Sequence, residues 1–182
     1  MLRFLVLISA LVGIAWFLPA EARRAALIIG NSGYQHTSLL PNPAKDAQLV
    51  ADSAKRAGFD VTMVTDLTKA DFDQTLREFR QQADGAEVAM IYYAGHGIQS
   101  GGANWVIPID AKLGESRDLR FEAIDLDGLL ETLIGAQLRM VVLDACRDNP
   151  FGSNWRSAVR SVPRGLAEQE TEGALIIFAA AA

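Results

Sequence analysis

The chain contains a single cysteine, Cys146, and two histidines, His36 and His96. A thiol attacks a carbonyl only as its thiolate, and an unperturbed cysteine is mostly protonated at neutral pH. An imidazole is the side chain suited to accept that proton and later return it to a leaving amine. His96 precedes Cys146 by fifty residues, and each follows an apolar run. Val88 to Tyr93 leads into Ala94-Gly95-His96-Gly97, and Met140 to Leu143 leads into Asp144-Ala145-Cys146. Two strands that each deliver one reactive group at the carboxyl end match the crevice where open α/β sheets bind ligands. The spacing of a lone cysteine and an upstream histidine suits thiol catalysis of acyl transfer, with Cys146 as nucleophile and His96 as base. The backbone N–H groups of Gly97 and Cys146 are the natural donors to an oxyanion. His36 reads as an ordinary loop histidine. Two scattered histidines and one cysteine, without H-E-x-x-H or C-x-x-C, offer no ligand set for zinc.

The elements that must position these residues follow from periodicity. Arg23 to Gly30 reads as a first strand, ending in the loop Asn31 to Ser38. The G-N-S-G of that loop lacks the spacing of either glycine-rich phosphate motif. A helix opens at Pro43, with Ala47, Val50, Ala51 and Ala54 at helical spacing, and ends at Gly58. Phe59 to Thr65 is a second strand, and a helix over Lys69 to Ala83 carries Phe72, Leu76 and Phe79 on one face. The third strand, Val88 to Ala94, is apolar throughout, as a strand covered on both faces should be. Ile98 to Pro108 reads as a hairpin about Gly101-Gly102, off the main sheet. Asp110 to Arg120 is a polar loop, and Leu126, Leu129, Leu130 and Leu133 mark a helix ending at Gly135. Leu138 to Leu143 and Ala174 to Phe178 are the fourth and fifth strands, joined by the long polar connection 147–171. Strands alternating with helices predict a mostly parallel, doubly wound α/β sheet flanked by helices in three layers.

The 182 residues suit one domain with a short appendage. Arg3 followed by an apolar run to Leu18 and then Ala20-Glu21-Ala22 predicts a secretory signal peptide over residues 1–22, with an uncleaved N-terminal anchor as the alternative and the domain in 23–182. The expected location is periplasmic or secreted. An exported chain with one cysteine forms no internal disulfide, which leaves intermolecular pairing or a reactive thiol. The formal charge of −5 gives no electrostatic reason to expect nucleic acid or an anionic membrane as partner.

Y-Y-A-G-H-G (Tyr92 to Gly97) together with L-D-A-C-R-D-N-P-F (Leu143 to Phe151) resembles the caspase-like cysteine peptidases, and among them the prokaryotic metacaspase-like group. A-L-I-I-G-N-S-G-Y (Ala26 to Tyr34) and N-P-A-K-D-A (Asn42 to Ala47) are similar to the same group. The resemblance covers Arg24 to about Phe178, the large-subunit portion of that fold. It implies a His–Cys dyad, endopeptidase activity on polypeptides and no organic cofactor. It also implies a sheet whose edge at 174–178 is covered by a small-subunit strand or a dimer partner. Caspases carry Q-A-C-[RQG]-G, whereas this chain has D-A-C-R-D, with Asp144 in place of the glutamine. A carboxylate two residues before the nucleophile favours a cationic side chain at the cleavage position. The metacaspase-like group cuts after Arg or Lys and adds a second acid from the first helix, which Asp46 matches here. Arg156, Arg160 and Arg164 lie where zymogens of this fold have their linker, so an arginine-specific enzyme could cut itself there. Calcium dependence occurs in some metacaspases. Asp110, Glu115 and Asp118 form no ligand pattern from which it could be read. Two other classes are a catalytically silent module of the same fold, for which a paired His and Cys have no use, and an α/β hydrolase, for which the G-x-S-x-G elbow is lacking.

Overall fold

The structure is a computed structural model and describes residues 22–146 and 173–179. The segment expected as a signal peptide and the connection bearing Arg156, Arg160 and Arg164 lie outside the described residues, as does the side chain of Cys146. Along the chain run β1 (Arg24–Gly30), α1 (Pro43–Arg56), β2 (Asp60–Thr65), α2 (Lys69–Ala83), β3 (Val88–Ser100) and β4 (Ala103–Val106). A 3₁₀ turn (Ser116–Asp118), α3 (Leu119–Glu122), β5 (Ile124–Asp125), α4 (Leu126–Thr132), β6 (Leu138–Cys146) and β7 (Ala174–Ala179) follow.

Five strands pair in parallel in the order β2–β1–β3–β6–β7. β4 and β5 extend the far end of β3 in antiparallel fashion, completing a seven-stranded sheet. The order reverses direction at β1, so the crevice of a doubly wound sheet opens beyond the carboxyl ends of β1 and β3.

Side-chain alternation sorts the sheet into two covered faces. Ala25, Leu27, Ile29, Ala89, Ile91, Tyr93, Val141 and Leu143 pack beneath α2 and α4, against Phe72, Phe79, Leu126, Leu129 and Leu130. Ala26, Ile28, Tyr92 and Ala94 face Ala47, Ala51 and Ala54 of α1. Fully burying each of Leu27, Ile28 and Ile29 contributes roughly 1.5–3 kcal/mol relative to exposure. α1 lies close on the sheet because its inner face is alanine. A Cβ on Gly30 would stand 2.6 Å from the Pro43 carbonyl oxygen and 2.8 Å from the Ala47 Cβ. That closeness fixes the first turn of α1, and Asp46 with it, over the end of β1.

The three main helices begin and end where the sequence predicts, within a residue or a few. Pro43 opens α1, Thr68 caps α2 through the Asp71 N–H, and Asp125 caps α4 through the Gly128 N–H. The strands differ more. β3 runs on through Gly95, His96 and Gly97 to Ser100, where an end at Ala94 was expected. β6 runs on to Cys146. Both extensions have a partner: Ala94 to His96 stay in register with Asp144 to Cys146, and Gly97 to Ser100 pair with β4. The expected hairpin is present. It turns on Gly101 and Gly102, whose φ values of 63° and 84° suit the two-residue turn that matches strand twist. The expected polar loop 110–120 holds the 3₁₀ turn and the start of α3 instead. There Asp118 accepts the Gly114 and Glu115 N–H groups, and Glu122 accepts those of Lys112 and Leu113. β7 pairs with β6 alone among the described strands. Its Ala174, Ile176 and Phe178 pack on the core, while Leu175 and Ile177 are 45% and 41% exposed on the other face.

Candidate active site

Register brings the two reactive residues together. His96 of β3 and Cys146 of β6 are Cα partners across neighbouring parallel strands, the last pair of that ladder. His96 is 4% exposed. The loop after β1 arches over it and supplies four contacts, the longest being the Ser38 hydroxyl at 3.5 Å from Nε2. The His96 N–H donates to the Tyr34 hydroxyl (2.7 Å), and the Tyr34 ring stands 4.4 Å from the imidazole, tilted by 53°. His96 Nε2 lies 2.9 Å from the Ser38 carbonyl oxygen.

That last contact sets the chemistry of the ring. A carbonyl only accepts, so Nε2 carries the proton and the neutral imidazole is left with a bare Nδ1. Nδ1 is buried and has no hydrogen-bond partner among the described residues. A buried acceptor left unpaired costs about 1–3 kcal/mol, and such groups in native proteins call for a functional explanation. Burial lowers the His96 pKa below its ordinary value, with the Ser38 hydrogen bond acting in the opposite direction. Burial thus favours the neutral imidazole, in which Nδ1 is the nitrogen able to accept a proton.

The arch is itself held in place. Asp66, in the left-handed region at φ 54°, accepts the N–H groups of Ser32 (2.7 Å) and Gly33 (2.8 Å). Those are the donors that a phosphate in the G-N-S-G loop would use, so the Asp66 carboxylate occupies the place of an anion. Buried Asn31 ties the loop down further, donating to the Ile107 carbonyl and accepting from the Leu67 N–H. His36 is exposed, away from these contacts.

Beneath His96 two tyrosine hydroxyls form a clasp. Tyr93 Oη lies 2.8 Å from the His96 carbonyl oxygen, 3.0 Å from that of Ile107 and 3.1 Å from Tyr34 Oη. Gly95 fits inside it: an added Cβ would sit 2.5 Å from both hydroxyl oxygens. Gly95→Ala is accordingly expected to spread the clasp and displace His96. Any activity that uses His96 as a base should fall at least ~10²-fold, as for misplaced catalytic groups, in protein that still melts cooperatively. An unchanged rate would show that the clasp does not position the base.

Gly97 lies on the side expected for an oxyanion donor. The Ile107 N–H, just past the end of β4, donates to the His96 carbonyl (3.0 Å), so His96 turns its backbone N–H and C=O toward that edge of β3 and Gly97, the next residue, turns its own away. The Gly97 N–H thus turns to the opposite edge of β3, along which β6 runs.

The two expected pocket acids also converge. Asp144, half-buried on β6, accepts the Tyr92 hydroxyl at 3.1 Å. Burial first, then Asp144, then Asp46 all push the Tyr92 pKa far up, so this hydroxyl stays protonated and Asp46 lies close enough to be felt there. The ion pairs among the described residues are Arg24–Glu87, Lys69–Asp73 and Arg117–Glu115, none involving Asp46 or Asp144. Two carboxylates near one buried hydroxyl, neither ion-paired among the described residues, have the charge that would attract a cation. Tyr34, Ser38, Tyr92 and Tyr93 were not assigned roles from sequence. Three of them lie inside the motifs Ala26–Tyr34 and Tyr92–Gly97, which was the available signal. Ser38 lies outside those motifs, and its shorter contact to His96 is through its backbone carbonyl, which leaves no such trace. Among the described residues no group of three His, Cys, Asp or Glu side chains could hold a metal ion.

Comparison with known proteins adds the following. The family model described as "Peptidase_C14: Caspase domain" matches residues 23–180. Human mucosa-associated lymphoid tissue lymphoma translocation protein 1 is 30% identical over 93 residues, 51% of this chain and 11% of that protein. The mouse homolog matches over the same extent. The matched region thus spans only 11% of the length of these curated relatives. Among solved structures, a protein from Geobacter sulfurreducens superposes with a TM-score of 0.51 at 21% identity, covering 68% of this chain and 50% of that one. The Drosophila initiator caspase Dronc superposes with a TM-score of 0.53 at 12% identity, covering 67% and 48%. These last two likenesses concern the fold.

Proposed function

The chain belongs to the caspase-domain family of peptidases, and on that premise we propose that it is a cysteine endopeptidase cleaving after Arg or Lys through a His96–Cys146 dyad. The observation that carries the reading is the bare, buried Nδ1 of His96 on the residue in register with Cys146. A binding module of the same fold would gain nothing from that unpaired nitrogen.

In this reaction Nδ1 takes the thiol proton, and the thiolate sulfur of Cys146 attacks the scissile carbonyl carbon. The negative charge moving onto the carbonyl oxygen is met by the N–H groups of Gly97 and Cys146. The tetrahedral adduct collapses as the amide C–N bond breaks, and His96 returns the proton to the departing amine. Water then attacks the thioester carbonyl, giving a proton to His96; the C–S bond breaks, the acid product leaves, and His96 returns that proton to the Cys146 thiolate. The Ser38 carbonyl stabilises the imidazolium of each intermediate through the Nε2 proton. Asp144 and Asp46 hold the cationic side chain on the amino side of the cut bond. These steps use the protein's own groups and call for no organic cofactor. We further propose that the enzyme is of the prokaryotic metacaspase-like kind and exported; the N-terminus of the mature protein, Arg23 or Met1, decides between a cleaved signal peptide and an uncleaved anchor. No helix among the described residues is long and apolar enough to cross a membrane.

The test is a panel of fluorogenic peptides ending in Arg, Lys or Asp, assayed with and without calcium, beside Cys146→Ala. Turnover after Arg and Lys that vanishes in the variant is the expected result. Turnover only after Asp would keep the dyad and refute the pocket. No turnover from folded protein in either condition would refute the enzyme reading.

A further inference from the structure

Asp144 is held in one plane by a neighbour that cannot move. The Tyr92 ring is 5% exposed and packed among Ala26, Ile28, Ala47, Ala51 and Ala94, between the centre of the sheet and α1. In register Tyr92 is the partner of Val142 and Ala94 that of Asp144, so the ring reaches diagonally across from β3 to β6. Its hydroxyl donates to Asp144 Oδ2 at 3.1 Å. The other oxygen, Oδ1, has no recorded partner among the described residues, and Oδ2 keeps a second lone pair. With the hydroxyl flanked by two carboxylates and buried, it never ionises in the working range and always donates.

A carboxylate pinned through one oxygen presents both oxygens in a fixed plane. The forked edge of a guanidinium requires that plane, because its two parallel N–H bonds must meet two oxygens at once. An ammonium is a compact point charge with rotating donors and tolerates a carboxylate in any orientation. Resting on the reading of Asp144 and Asp46 as the cation pocket, we propose that Tyr92 is the residue that makes this pocket select arginine over lysine, by fixing the plane of the Asp144 carboxylate. It is a specificity-determining positioning residue with no part in the bond cleavage itself.

The experiment compares Tyr92→Phe with the unmodified protein on matched peptides ending in Arg and in Lys, with the rate of Cys146 alkylation by iodoacetamide as a separate measure of the dyad. The substitution removes one oxygen and keeps the ring, so folding survives. Expected are preference for Arg in the parent, a loss of about tenfold in kcat/KM on Arg peptides expressed mainly in KM, a change of no more than about threefold on Lys peptides, and unchanged alkylation. An Arg-to-Lys ratio that stays the same in Tyr92→Phe, including equal losses on both, would overturn the inference and leave the pocket standing. So would a parent that cuts Arg and Lys peptides equally well. Were the parent to cut only after Asp, or not at all, the pocket reading itself would fall, and the inference with it.

Discussion

Replacing His96 with alanine is expected to lower kcat/KM on Arg-terminated peptides by about 10³–10⁴-fold with little change in KM, the upper range for loss of a positioned acid–base group. The size follows from the double use of Nδ1, which takes the thiol proton and then supplies the leaving amine. Substrate binding rests on other residues, Asp144 and Asp46, so KM should report a pocket left intact. Two further readouts separate this from a folding defect. In the parent, alkylation of Cys146 should be assisted by the neutral imidazole and follow its titration, whereas in His96→Ala its pH dependence should move to the ~8.5 of an unperturbed cysteine. The melting temperature should change little, because the lost packing against Tyr34 is offset by removal of the buried unpaired nitrogen. The pH profile of the parent follows from the same ring. Burial holds the His96 pKa below 6.5, so the acid limb of kcat/KM is expected below 6.5. An inflection above 6.5 would mean that His96 already holds the thiol proton in the resting enzyme. The sign for stability is fixed too. A folded-state pKa lowered beneath the unfolded value means that the stability from neutral His96 is complete above 6.5 and is lost as pH falls through the folded pKa.

Much of this arrangement was legible in the sequence because it rests on patterns that the backbone imposes. Period-two and unbroken apolar runs located the parallel strands, and helical spacing with Pro43, Gly58 and Gly135 located the three main helices. The ends of β3 and β6 were not legible. Ala94-Gly95-His96-Gly97 and Asp144-Ala145-Cys146 lack the apolar, β-branched character by which a strand is recognised, yet they remain strand because each segment hydrogen-bonds to the other or to β4. Pairing overrode propensity, as it does where a tertiary partner is fixed. β5 escaped notice for the related reason that two residues carry no period. At the site, residue type pointed to His96, Cys146 and Asp144, whereas the groups that tune them act through geometry. The Ser38 carbonyl selects the tautomer, and the Tyr34 and Tyr93 hydroxyls hold the backbone of His96. A carbonyl is present at every residue, so no residue type could have marked this one.

The charge of Asp144 should be worth nearly as much as the base. Asp144→Asn keeps the shape of the side chain and an oxygen for the Tyr92 hydroxyl, and removes only the negative charge. Losing one partner of a desolvated, hydrogen-bonded charge pair costs about 2–5 kcal/mol, so kcat/KM on Arg peptides should fall roughly 10²–10³-fold. Asp46→Asn should cost less, about tenfold, because Asp46 sits in the open first turn of α1 with solvent to share. Citrulline, the neutral isostere of arginine, isolates the electrostatic part. The parent should prefer Arg over citrulline strongly, and Asp144→Asn should compress that ratio toward unity. Stability should move the other way. In the free enzyme Asp144 is half-buried and has no ion-pair partner among the described residues, so neutralising it removes a charge without a counter-ion that the fold tolerates only for the sake of the ligand. A gain of about 1 kcal/mol raises the melting temperature of a domain this size by roughly 2–4 °C. A carboxylate kept for structural reasons predicts the reverse pair of results, lower stability with specificity intact. Calorimetry and the Arg-to-citrulline ratio on the same variant therefore decide between the two.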